Sequence, residues 1–393
     1  MSDQFQVVSS KGWFARIGES IKGILFGGLM FLGAFPLLWW NEGRAVQTYK
    51  SLQEGRGAVV SVAADQVDPA NETRLVHLSG AAVPQGTLSD PEFGIAAPAI
   101  RLTREAKTYQ WVEHSKSETR KKIGGGEETV TTYSYSKDWR ENRVDSSRFK
   151  QPAGHENPGS LVVESASFQA SDVRVGGFQL SDGLIGGIRG AVDVPLTQDT
   201  IKGISGSLKG RTRVHGNELY IGRDPASPAV GDARILFRQV PQGDVSVIAR
   251  QTGSRLGPYQ TVAGDELEMI RAGIAPATAM FESAERANTV MTWVARLVGF
   301  LAMAFGLLMV LRPIRVLADV VPILGTVVGM GLGLVAFAVA APLTLVTIAL
   351  AWVAHRPALA ITLFLIAGVG LGMLAAKMIA RRRTAPALSP RSS

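Results

Sequence analysis

Two apolar blocks enclose a long polar middle, and this pattern predicts a membrane protein. Residues 23–40 hold no charged side chain, and roughly 18 residues at about 1.5 Å rise cover most of a hydrocarbon core. The run ends at Trp39 and Trp40, where an aromatic belt is expected, and Asn41, Glu42 and Arg44 are the first groups that need water. Polar and charged residues then recur until a second apolar block begins near Met291.

Before the first block, Trp13, Phe14, Ile17 and Ile21 recur at helical spacing opposite Lys11, Arg16 and Lys22. That spacing predicts a cytoplasmic amphipathic segment over 1–22, its first ten residues disordered, followed by transmembrane helix 1 over 23–40. The second block predicts transmembrane helix 2 over 290–311, with Arg296 in its first turns, where it is a site candidate or can snorkel to the headgroups. Residues 312–332 read as a cytoplasmic or re-entrant segment, 333–354 as transmembrane helix 3 and 357–376 as transmembrane helix 4. A basic cytoplasmic tail, 377–393, completes the chain. Gly325, Gly329 and Gly333, and again Gly368 and Gly372, recur every four residues, which permits close helix packing.

The middle, 41–289, alternates apolar and polar side chains in short β-rich runs and predicts an extracytoplasmic domain divisible into subunits at 57–150 and 160–255. Tyr109–Glu118 and Thr129–Trp139 flank Gly124–Gly126 as a long hairpin, and Ala233–Val240 and Val245–Gln251 flank PQGD at 241–244 as a second. The glycine-rich 168–188 reads as a core segment with turns, and a helical stalk is expected over 276–289. The fold class is therefore a membrane α-helical protein with four transmembrane helices plus a large β-rich α+β domain.

Charge changes the picture only after it is located. The chain carries net charge +8, yet residues 41–289 hold 29 basic against 30 acidic side chains, so the excess lies at the membrane-flanking ends. A nucleic-acid-binding middle is thereby disfavoured. There are no cysteines, which excludes disulfides and thiol nucleophiles. The five histidines are scattered without a metal-ligand pattern, GISGSLKGRT at 203–212 lacks phosphate-loop spacing, and no G-x-S-x-G elbow occurs. No catalytic residue, cofactor or metal is predicted.

Several blocks resemble the LUMA family of four-pass membrane proteins: LLWWNEGRAV at 37–46, VGGFQLSDGLI at 175–185, VSVIARQTGSRLGPYQTVAGDEL at 245–267, MTWVARLVGFLAMAFGL at 291–307 and APLTLVTIALAWVAHRP at 341–357. The resemblance implies a large luminal, or in a bacterium periplasmic, domain, self-association and a role in membrane-protein organisation. The alanine- and glycine-rich composition points to a bacterial member, hence a bacterial inner membrane, and the basic residues flanking the first and last spans put both termini in the cytoplasm. The expected function is a non-enzymatic integral membrane scaffold or adaptor whose partners are membrane lipid, other membrane or envelope proteins and further copies of itself. A transporter or membrane-bound enzyme is the alternative. Trp39, Trp40, Asn41, Glu42, Arg44 and Arg296 are the expected structural junction.

Overall fold

The computed structural model describes residues 4–204 and 208–357. Its long helices are α1 (Trp13–Ala58), α3 (Ala277–Ala318) and α4 (Pro322–His355), with the one-and-a-half-turn α2 (Asp182–Gly187) between the first two. All three long helices are apolar and long enough to cross a membrane. Only 17%, 22% and 28% of their apolar windows is buried within the chain, which leaves apolar side chains outward, as lipid contact requires.

These bounds redraw the expected spans. The helix does not end at Trp40, because nothing between Asn41 and Ala58 removes a backbone donor, and polar side chains alone do not break an intrahelical ladder. The expected stalk and transmembrane helix 2 are one element, α3. The expected cytoplasmic or re-entrant segment, 312–332, is divided: 312–318 complete α3, and after a turn at 319–321 the rest joins the expected transmembrane helix 3 in one helix, α4. Three candidate spans are thus described where four were expected, and the fourth, 357–376, lies almost wholly outside the described residues.

Residues fall into two compact units. The first gathers Met1–Arg16, Tyr49–Ala287 and Val320–Pro322; the second gathers Ile17–Thr48, Asn288–Asp319 and Ile323–Ser393. Six long strands frame the first: β1 (Gln4–Lys11), β2 (Leu75–Pro84), β3 (Ala99–Lys121), β4 (Glu127–Arg140), β5 (Ala233–Pro241) and β6 (Gly243–Thr252). One sheet runs β1, β4, β3, β5, then 218–221 and 212–215. Alternate residues of β3 are buried from Ile100 to Gln110, the period of two that turns one face to a core. That core holds Leu102, Ala106, Leu219, Ile235 and Phe237.

The second sheet closes on itself. β6 pairs with 255–257, that segment with 178–179, the latter with 173–175, 173–175 with β2, and β2 again with β6. Val76, Leu78, Val175, Phe178, Val247 and Leu256 pack together as a core cluster drawn from these strands, and α2 adds Leu184 and Ile185. Ser181 caps α2 by accepting the Leu184 N–H. The 168–188 stretch is therefore core with turns.

The sheets also divide the domain differently from its sequence. β3 pairs with β5, and β2 with β6, so strands of 57–150 interleave with strands of 160–255 and no sequential pair of subunits exists. The PQGD hairpin does not form: β5 and β6 are neighbours in sequence but lie in different sheets, and the register shifts between Val240 and Pro241. Long-range pairing with β3 and β2 outweighs the local turn.

The hairpin of β3 and β4 is paired from Thr108↔Arg140 to Lys121↔Glu127. Against its outer strand lies β1, antiparallel from Gln4↔Ser134 to Lys11↔Glu127. Residues expected to be a disordered and amphipathic cytoplasmic lead are thus a strand, because β4 offers an open edge that backbone donors and acceptors can satisfy. A bilayer between residues 4–11 and this part of the domain is incompatible with that pairing.

Candidate functional site

Within the second unit, the junction residues meet on three helices. Asn288, Thr292 and Arg296 recur every four residues, which places them on one face of α3. Opposite them, α1 carries Asn41, Glu42 and Arg44. Arg296 Nε donates to Glu42 Oε1 at 2.7 Å and its Nη2 to Oε2 at 2.8 Å, a two-pronged ion pair. Trp352 of α4 donates its indole N–H to Glu42 Oε2 at 2.8 Å. The guanidinium also lies 4.8 Å from the Trp293 ring centroid.

Glu42 is 2% exposed, and removing such a carboxylate from water is costly unless its oxygens are engaged. Three charge-assisted donors engage them here. A second polar layer adjoins the pair: Asn41 donates to the Thr292 carbonyl at 3.2 Å, and Arg44 donates to Asn288 at 3.1 Å, Asn41 at 3.3 Å and the Thr292 hydroxyl at 3.3 Å. Asn288 in turn donates to the Ala45 carbonyl at 3.0 Å. Chemically, this is a clamp: the carboxylate that could act as a base is already held by a cation and an indole.

The apolar packing continues down the same helices. A Cβ on Gly306 would lie 2.6 Å from the Phe31 nitrogen and 2.7 Å from the Gly27 carbonyl oxygen, and one on Gly299 2.5 Å from Leu38. Small residues let α1 and α3 approach closely there. Ala34, Leu38, Met303, Ala304 and Ala340 fill the contact between the three helices.

Of the expected junction residues, Asn41, Glu42, Arg44 and Arg296 are brought together, while Trp39 and Trp40 remain largely exposed. Trp39 meets His355 edge-on at 5.7 Å. Gly325 and Gly329 lie against Asp319 and Arg315, Gly333 faces open space, and Gly368 and Gly372 lie outside the described residues. Sequence reasoning missed Asn288, Thr292, Trp352, Gly27, Gly299 and Gly306. The four-residue repeat 288–292–296 and the heptad spacing of Gly299 and Gly306 were the available signals.

Elsewhere, an open groove of about 540 Å³ is lined by residues including Gly183, Glu268, Arg271, Met280 and Ala284. Its carboxylate, Glu268, is bonded by the Ser181 hydroxyl. Among the described residues, no group of three or more His, Asp or Glu side chains could hold a metal ion.

A family model described as Transmembrane protein 43 matches residues 108–357. The chain is 37% identical to human Transmembrane protein 43 over 378 residues, covering 92% of this chain and 91% of the relative. It is 31% identical to the Drosophila melanogaster homolog over 369 residues, covering 89% and 94%. No solved structure matches. The resemblance read from the membrane-flanking motifs and these matches converge: the chain belongs to the transmembrane protein 43 family.

Proposed function

We propose that this protein is a non-enzymatic integral membrane scaffold or adaptor that organises membrane or envelope protein complexes through its β-rich unit. The observation that carries the reading is the use of polar groups among the apolar helices. Glu42, Arg296, Trp352, Asn41, Arg44, Asn288 and Thr292 are engaged with one another, which suits holding helices in register better than turning over a substrate. The β-rich unit supplies extended surface, and the exposed helix faces supply contact with membrane lipid, neighbouring membrane proteins or a second copy. The alanine- and glycine-rich composition favours a bacterial inner membrane as the setting.

In-membrane crosslinking of the full chain followed by mass spectrometry tests this. Reproducible crosslinks to a small set of membrane proteins, together with copy-to-copy crosslinks, are expected. Ion conduction by the purified protein in liposomes, or turnover of an added metabolite, would overturn the reading.

A further inference from the structure

Among the described residues β1 is the last strand of its sheet, paired to β4 on one side and to no strand on the other. All eight of its residues are exposed, and its partners run from Gln4↔Ser134 to Lys11↔Glu127 without a bulge. The unpaired side therefore presents a regular row of backbone N–H and C=O groups, the template on which another strand adds.

Two other edges of the same sheet are guarded in the usual ways, by short length and by charge. The outermost strand at the far side, 212–215, is four residues long and carries Arg213. Beyond Thr108, β3 pairs with β4 alone, and that stretch carries Lys116, Glu118, Arg120 and Lys121. β1 has neither guard: Gln4–Ser10, QFQVVSS, holds no charge and no proline, and Phe5, Val7 and Val8 are 41%, 37% and 60% exposed.

The contrast between these edges selects the occupant. Seating β1 on the free stretch of β3 in a neighbouring copy sets it against a charged strand and builds an open chain of copies, whereas β1 against β1 closes after two. A second copy also matches this edge in length, alternation and absence of charge. Directly opposite residues of an antiparallel pair share a face. A two-fold axis normal to the sheet at Val7 therefore sets Val7 against Val7, Phe5 against Ser9 and Gln4 against Ser10, overlaps the whole uncharged stretch, and leaves the two Lys11 side chains at opposite ends. We propose that two copies of this chain join along β1, antiparallel about a two-fold at Val7, so that their sheets become one. The pairing rests on the scaffold reading for its self-association and assigns that association a surface in the β-rich unit.

The chain has no cysteine, so single cysteines in the full-length, membrane-embedded protein report the pairing. Directly opposite Cα atoms lie about 4.5–5.5 Å apart, within disulfide reach. Val7→Cys should therefore give a covalent dimer under mild oxidation. Gln4→Cys and Ser10→Cys, each about 20 Å from its own counterpart at six residues' separation, should stay monomeric alone and dimerise when co-expressed. A monomeric Val7→Cys, a bond from it to a different protein, or equal dimer from all three variants alone overturns the pairing. Val7→Lys and Val7→Glu, which oppose like charges across the axis, should each weaken dimerisation at least tenfold by fluorescence energy transfer, and an equimolar mixture should restore it; a mixture as weak as either variant overturns the axis at Val7. Copy-to-copy crosslinks elsewhere with Val7→Cys monomeric would overturn this edge and leave the scaffold reading standing. A Val7 dimer that captures no other membrane protein would uphold the edge and count against the scaffold.

Discussion

Arg296 donates both a 2.7 Å and a 2.8 Å hydrogen bond to Glu42, although 254 residues separate them in sequence. The pair joins α1 to α3, and the Trp352 indole on the same carboxylate adds α4. Removing one partner leaves a buried charge uncompensated, which costs about 3–5 kcal/mol, whereas replacing both by apolar residues is often near neutral. Glu42→Leu and Arg296→Leu should each lower the thermal stability of the detergent-solubilised chain by that order, and the double substitution should recover most of the loss. A double variant as unstable as the sum of the singles would show that the two residues act separately. Trp352→Phe, which keeps the ring and removes one donor to a charged acceptor, should lose about 1.5–3 kcal/mol.

How much of this was legible depends on the range over which each residue acts. The membrane boundary at Trp39–Arg44 and the charge of Arg296 stand out locally, because a polar side chain beside an apolar run is conspicuous. Asn288, Thr292 and Trp352 do not, since an amide, a hydroxyl and an indole are unremarkable at a span end until their partners are known. The β-rich character was visible from alternation, but the pairing of β6 with β2 is a contact between residues about 170 apart, and alternation sets a face rather than a partner. The strand at 4–11 was hidden for the same reason: its sequence, QFQVVSSK, becomes a strand through the edge that β4 offers.

The α1–α3 crossing gives a second prediction. Gly306 approaches the backbone of Gly27 and Phe31 too closely for any Cβ, whereas Gly28 on the next position of α1 faces open space. Gly306→Val should separate the helices and reduce the yield of monodisperse protein on size-exclusion chromatography. Gly28→Ala should be tolerated and should gain up to about 1 kcal/mol from lower backbone entropy loss. Equal behaviour of the two variants would remove the case for a close crossing.

In the β-rich unit, Asp90 is fully buried and accepts from Arg104 Nη1 at 2.9 and 3.0 Å and from the Glu92 and Phe93 amides. Arg104 also donates to the Glu164 carbonyl at 2.9 Å and lies 5.0 Å from the Phe93 ring centroid. This one carboxylate therefore fixes the 88–97 hairpin on the face of β3. Asp90→Ala should cost about 3–5 kcal/mol in denaturant unfolding followed by tryptophan emission, and Glu92→Ala, whose carboxylate is half exposed in its bond to the same Arg104, about 1 kcal/mol or less.

A dependence on alkaline pH follows from Tyr220. Burial, and then the Asp232 carboxylate that accepts its hydroxyl at 2.5 Å, raise this phenol above its ordinary value of 10.0. The folded protein therefore keeps a proton that the unfolded chain releases from about pH 10 upward, so stability falls as pH rises beyond that point. Tyr220→Phe should flatten the stability profile between pH 9.5 and 11, a range set by the ordinary phenol value of about 10. An unchanged slope in that variant would assign the alkaline loss to other groups.

The last prediction concerns the hairpin turn and the strand beside it. Gly124 and Gly125 share the left-handed conformation, so alanine at either is strained by roughly 1–2 kcal/mol. They differ in what a methyl would meet: nothing within 4 Å at Gly124, the Trp13 indole at Gly125. Displacing Trp13 also disturbs Arg16, which bonds the Gly125 carbonyl and Glu127, and with it the point where β1 ends against β4 at Lys11↔Glu127. Gly125→Ala should therefore loosen β1 from its Lys11 end, raising amide hydrogen exchange over residues 4–11 by an order of magnitude or more, as about 1.4 kcal/mol of lost docking requires. Gly124→Ala should leave that exchange close to the parent rate despite its own backbone strain. If the two variants exchange alike, Trp13 is not what anchors the strand, and β1 is held by its ladder to β4 alone.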